Sequence, residues 1–65
     1  MRVDRIIIYP KDIQRITGRS ERYGRLLLKR IKDHLQKDSH QFVSVEEFCT
    51  YTGLNYQQVT ELLLA

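Results

Sequence analysis

Pro10-Lys11-Asp12-Ile13-Gln14-Arg15-Ile16-Thr17-Gly18-Arg19-Ser20-Glu21-Arg22-Tyr23-Gly24-Arg25-Leu26-Leu27-Leu28 contains two helix signals separated by a stop. Proline suits the first position of a helix, Asp12 favours its positive end, Ile13 and Ile16 recur at helical spacing, and Gly18 ends the run. These residues predict a short helix over 10–17. Ser20 is an N-cap residue type, and Glu21 follows in the first turn. Beyond it Tyr23, Leu27, Ile31 and Leu35 recur every four residues, so a longer helix is predicted from Ser20 to about Gln36.

Outward from this stretch the same signals return. Lys37-Asp38-Ser39-His40 reads as a polar loop. Ser44 then opens a capping box with Glu47, Val43 is placed to staple onto Phe48, and Gly53 stops a third helix. Asn55 caps a fourth helix, with Gln58 at its third position and Leu54 placed to staple onto Val59. That helix runs into Leu62-Leu63-Leu64. With an offset of 35 residues, Asp12 falls on Glu47, Ile13 on Phe48, Thr17-Gly18 on Thr52-Gly53, Ser20 on Asn55 and Leu27-Leu28 on Leu62-Leu63. The chain therefore reads as a tandem repeat of one helical hairpin. Before each hairpin lies a β-prone stretch, Ile6-Ile7-Ile8-Tyr9 and Phe42-Val43, and the two are placed to form a minimal β pairing.

The predicted fold is all-α: tandem helix-turn-helix hairpins, with four helices around one small core. A chain of 65 residues forms a single domain, because it buries only about 60% of the surface exposed by the unfolded chain. The first helix-turn-helix spans 10–36 and the second 44–64. The predicted core comprises Ile13, Ile16, Leu27, Ile31, Phe48, Val59 and Leu62.

Charge is distributed unevenly along the chain. All eleven Lys and Arg residues lie between Arg2 and Lys37; with five acids, residues 1–38 carry a net +6, whereas the three glutamates of 39–65 leave −3. Opposite signs in the halves of one small domain are the footprint of a face that meets a polyanion. Winding the second helix from Tyr23 gathers Leu27, Leu28, Ile31 and Leu35 on one arc. Gly24 falls inside that arc, predicting close packing of the first helix against it. Arg22, Arg25, Lys29 and Lys32 fall at about 260°, 200°, 240° and 180°, on the other side. An apolar stripe opposite a cationic stripe also describes an ordinary solvated helix; what favours a binding face is the hairpin together with the scarcity of acids on the cationic side.

The residues Pro10-Lys11-Asp12-Ile13, Arg15-Ile16, Gly18 and Ser20 resemble the opening hairpin of excisionase and MerR-type winged-helix proteins. Gln14 departs from the small alanine usual there, and Arg19 from the aliphatic residue that plugs the turn. The second hairpin supplies both features, as Cys49 and Leu54. No β-wing follows the second helix in sequence. The resemblance implies a DNA-binding helix-turn-helix protein, a transcriptional regulator or recombination accessory, whose second helix reads the major groove. The expected DNA-binding residues are Arg19, Ser20, Arg22, Arg25, Lys29, Lys32, Lys11 and Arg15, with Arg2 and Arg5 adding backbone contacts. Tyr23 lies on the apolar arc and is read as a core or boundary residue. RNA is the weaker reading, because no aromatic platform motif appears.

Other chemistries lack the residues they need. His34, His40 and Cys49 do not have the paired spacing of a zinc site, so no metal is expected. There is no phosphate-cradling glycine loop and no nucleophile elbow, and Glu46-Glu47 are accounted for by helix capping; no catalytic residue, cofactor or small-molecule substrate is expected. Ile6-Ile7-Ile8 is too short for a signal core or a span, so no membrane partner is expected. A lone cysteine fits a reducing, cytoplasmic setting. The apolar end Leu62-Leu63-Leu64-Ala65 points to contact beyond the domain, either a homodimer through the last helix, presenting two reading helices about 34 Å apart, or a continuation of the chain. The alternative function is a non-enzymatic protein-protein interaction module whose basic face serves only solubility.

Overall fold

Tyr9 enters α1 (Pro10–Thr17) in an extended conformation, and its N–H donates to Asp12 Oδ2 at 2.8 Å, closing the first turn from below. The computed structural model that shows this describes residues 7–64, with the side chains of 7–63. At the far end of α1 the Thr17 hydroxyl donates to the Ile13 carbonyl and accepts from the Arg19 N–H, while Gly18 turns left-handed at φ 74°. Ser20 Oγ then accepts the Tyr23 N–H at 3.1 Å and starts α2 (Glu21–His34).

That helix stops two residues before the predicted Gln36. Gln36 adopts φ 59°, and the Lys37 and Gln36 amides fold back to the carbonyls of Lys32 and Asp33 at 2.8 and 3.2 Å. This is the double hydrogen bond of a Schellman end, formed with glutamine in the left-handed position where glycine is usual. The side-chain signal for a stop is therefore missing although the backbone stop is complete.

α3 (Val45–Thr52) and α4 (Tyr56–Leu64) repeat most of the capping bonds of α1 and the start of α2. The Ser44 N–H donates to Glu47 Oε1 and Ser44 Oγ accepts from the Glu47 N–H; Thr52 bonds back to the Phe48 carbonyl and forward to the Leu54 N–H. Gly53 turns at φ 78°, and Asn55 Oδ1 accepts the Gln58 N–H at 3.0 Å. Apart from the Ser44 Oγ bond, whose place in the first hairpin is taken by the Asp12 N–H donating to the Tyr9 carbonyl, each interaction lies 35 residues beyond its counterpart, so the predicted repeat extends to most of the capping geometry.

The two hairpins meet through the segments that precede them. Among the described residues the β pairing is a single antiparallel bridge, Ile7 with Ser44, flanked by the Ile8 N–H donating to the Val43 carbonyl at 3.0 Å. Ile8 and Val43 are equivalent positions of the repeat, so the copies are joined at matching residues. Ile6, at the start of the predicted β-prone stretch, lies outside the described residues.

Ile13, Ile31, Phe48 and Val59 are buried as predicted, joined by Ile8, Val43, Val45, Cys49 and Leu63. Ile16 and Leu27 are half-buried and packed against this cluster rather than within it. Leu62 is also half-buried, and it is Leu63, one turn after Val59, that enters the core. Leu54 is 42% exposed, so the predicted staple with Val59 leaves much of its side chain in solvent. Gly24 is buried against the first residue of α1, the close approach predicted for it.

Candidate nucleic-acid interface

α2 is held rigidly enough to present a surface. Ser20 caps its start, Gly24 seats it on Pro10, and Ile31 is fully buried. A 3.6-residue period then directs the remaining side chains outward. Arg22, Arg25 and Lys29 are exposed, and Arg30, not among the predicted site residues, is exposed beside them. Lys11 and Arg15 are exposed on α1, and Arg19 and Ser20 in the turn between the helices. Arg2 and Arg5 lie outside the described residues.

The predicted residues differ in how they are held. Arg25 pairs with Glu21 one turn earlier at 2.9 Å, an exposed contact that swings open at little cost. Lys32 is half-buried, and its ammonium donates to the Ser39 carbonyl at 2.9 Å, which ties α2 to the following loop. The Arg19 guanidinium lies 4.4 Å from the centroid of the Tyr23 ring. This cation–π contact covers the turn where the second hairpin has the aliphatic Leu54, and it holds Arg19 at the start of α2. Tyr23 is half-buried against the core, the boundary position predicted for it. Ser20 spends its acceptor on the cap, and its hydroxyl hydrogen remains available on an exposed residue.

Three of the predicted residues converge with one that sequence reasoning missed. Arg25, Lys29, Lys32 and Lys37 border a cleft of about 440 Å³ between α2 and the segments around Ile8 and Val43. Its apolar floor includes Leu28 and Pro10, and at its edge stand Tyr9 and Phe42, 45% and 61% exposed. Lys37 reads in sequence as part of a polar loop; only the left-handed turn at Gln36 brings it back beside the helix. Phe42 had a local signal: with Val43 inward, alternation sends its neighbour outward.

Lys37 also reaches Glu47 Oε2 at 3.3 Å. The Ser44 amide holds the Glu47 carboxyl below its ordinary value against the opposing effect of burial, and Lys37 lowers it further. Among the described residues this half-buried ion pair links the acidic second hairpin to the basic first, and Arg22, Arg25 and Lys29 keep their solvent face.

On the opposite side, His34 meets the Tyr51 ring edge-on at 5.3 Å, and Cys49 is buried with its thiol pushed up by desolvation. Among the described residues no three His, Cys, Asp or Glu side chains are grouped so as to hold a metal ion, and no helix is long and apolar enough to cross a membrane. No protein-family model matches the chain, and neither a curated protein nor a solved structure shows significant similarity to it.

Proposed function

We propose that this chain binds duplex DNA through the cationic face of α2, as a transcriptional regulator or recombination-accessory protein of helix-turn-helix type. The observation that carries the proposal is the two-faced helix: Arg22, Arg25 and Lys29 are exposed directly opposite Ile31, which is fully buried, on a helix capped at its first turn. A helix so placed fits a major groove about 12 Å wide, and its amino-terminal residues Arg19 and Ser20 approach the base edges. Lys11 and Arg15 supply phosphate contacts from α1, and Lys32 adds one where its loop contact allows. Binding rather than catalysis is the activity, in a reducing cytoplasmic setting.

Titration of the folded protein with duplex DNA at several salt concentrations tests this. Affinity that falls linearly on logarithmic axes as salt rises is the expected result, because each neutralised phosphate releases counterions. A protein that shows no salt-dependent affinity for nucleic acid even at low ionic strength overturns the proposal.

A second reading has its own observation. Tyr51, Leu54 and Tyr56 are 40%, 42% and 51% exposed on the second hairpin, an apolar surface of the kind used in protein contacts. The homodimer expected through the last helix would use Tyr56 and the half-buried Leu62, because Leu63 lies in the core; it leaves α2 uncovered and is compatible with the first reading, whereas a module that only binds protein is the competing one. Sedimentation at high concentration distinguishes monomer from dimer, and the DNA titration separates the two functions.

A further inference from the structure

We infer that the cleft beside α2 is a site for an unpaired nucleotide of single-stranded DNA, with Phe42 as the face on which its base stacks. The inference rests on the proposal that the α2 cations meet nucleic acid, and it adds a second form of that ligand.

The cleft combines two kinds of group. Arg25, Lys29, Lys32 and Lys37 stand around it; Asp33 is the acid in its lining, and Glu21 and Glu47 pair with Arg25 and Lys37 at its margin, so cations exceed acids by four to three and the local field still favours an anion. At the edge of the cleft the aromatic residues Phe42 and Tyr9 are 61% and 45% exposed. Phe42, at 61% exposed, gives up most of its apolar surface to water, which a ring placed for the core does not do. The register of the Ile7–Ser44 bridge explains its placement: Ile8 and Val43 face inward, and Tyr9 and Phe42, the next pair, face the cleft. Cations that track a phosphodiester backbone, interleaved with aromatic faces, are the combination by which single strands are held without sequence preference.

Duplex DNA cannot use this feature. Its bases are stacked on one another, and only their edges are open in the grooves. An unpaired base has two free faces and a flexible backbone, and a cleft of about 440 Å³ with an apolar floor admits it. Arg25 and Lys29 belong both to the cleft and to the exposed α2 stripe. Single strand and duplex therefore share cations, but only the single strand engages Phe42.

The experiment compares fluorescence anisotropy titrations of a labelled oligothymidylate of about 12 nucleotides, within the usual range of single-strand site sizes, with a duplex of the same length at one ionic strength. Phe42→Ala, Phe42→Leu and Phe42→Trp are each first shown by circular dichroism to be folded. Phe42→Ala is expected to weaken oligothymidylate binding by about 5- to 150-fold, the range for removal of one base-stacking ring, and to leave duplex binding within about two-fold. Phe42→Leu keeps the apolar bulk without the aromatic face and is expected to behave like Ala, so either variant suffices if the other does not fold; Phe42→Trp retains binding. Equal losses for both ligands, or no loss for the oligothymidylate, overturn the inference. Duplex binding with no binding of oligothymidylate by the parent protein also overturns it while leaving the proposed function standing, and absence of both interactions removes both.

Discussion

A β-carbon on Gly24 would stand 2.6 Å from the carbonyl oxygen of Pro10, and 3.1 Å from its Cα. The first residue of α1 thus lies directly on the backbone of α2, at a distance only glycine allows. In the second hairpin the equivalent positions are Val45 and Val59, both buried, so there the helices are separated by side chains. The repeat keeps its capping chemistry while the spacing of the two helix pairs differs. The closer pair is the one that carries the cationic face.

Gly24→Ala is expected to destabilise the protein although alanine is the better helix former by about 1 kcal/mol. The obstructing atoms are backbone, so α1 must shift as a unit, and overpacking of this kind costs about 1–3 kcal/mol net of propensity. Urea denaturation checks this. A Gly24→Ala protein as stable as the parent contradicts the close approach.

Glu47 predicts a pH dependence of known sign. Its carboxyl is held below the ordinary 4.5, chiefly by the Ser44 amide. A depressed native pKa means that the unfolded chain binds the proton more readily, so the contribution is complete above 4.5 and is lost as pH falls through the lower folded value. Glu47→Gln is expected to be about 0.5–1 kcal/mol less stable near neutral pH, the scale of a helix-capping interaction. The gap between the two proteins narrows on acidification. Thermal melts across the carboxylate range measure it, and a gap that widens at low pH contradicts the assignment.

What was legible in the chain was local. Gly18, Ser20, Gly53 and Asn55 act on backbone groups within a few residues of themselves, so the four helices and their starts could be read directly. The end of α2 could not, because Gln36 takes a left-handed conformation for which its side chain gives no signal. Nor could the choice of Leu63 over Leu62, since adjacent leucines at the end of a short helix differ only in how that helix is rotated on the core. At the site, the α2 stripe followed from periodicity alone. Its partners did not: the Lys32 contact with Ser39, and the gathering of Lys37 and Phe42 beside Lys29, depend on a chain reversal that brings residues distant in sequence together.

Cys49 is expected to react slowly in the native protein. It is 6% exposed, and burial raises its thiol above the ordinary 9.0, which lowers the fraction of the reactive thiolate. Labelling with a thiol-disulfide reagent at neutral pH is expected to be roughly 150- to 5000-fold slower than in denaturant, set by the population of opened molecules in a small domain with about 3–5 kcal/mol of stability. Gly24→Ala, by lowering that stability, accelerates the reaction. Fast labelling of the native protein contradicts the buried position.

Replacing Arg22, Arg25 and Lys29 together with Gln separates the DNA-binding reading from a solvated face. All three are exposed opposite Ile31, and among the described residues the ion pair lost, Arg25 with Glu21, is an exposed i,i+4 contact worth about 0.3–0.5 kcal/mol. The fold is therefore expected to survive, with a melting curve close to the parent's. Duplex binding is expected to fall strongly, and if all three residues neutralise phosphates the logarithmic salt slope decreases by about 0.9 for each, or roughly 2.7 in total. A residue that reads a base edge instead contributes less to the slope and relaxes preference at one base pair, with about 1–3 kcal/mol of discrimination lost. Lys11→Gln and Arg15→Gln, acting on phosphates from α1, weaken all sequences alike and each lower the slope by about one. A triple variant that is folded and binds duplex with the parent's affinity and salt slope assigns the α2 cations to solvation, and leaves the exposed apolar surface of the second hairpin as the functional face.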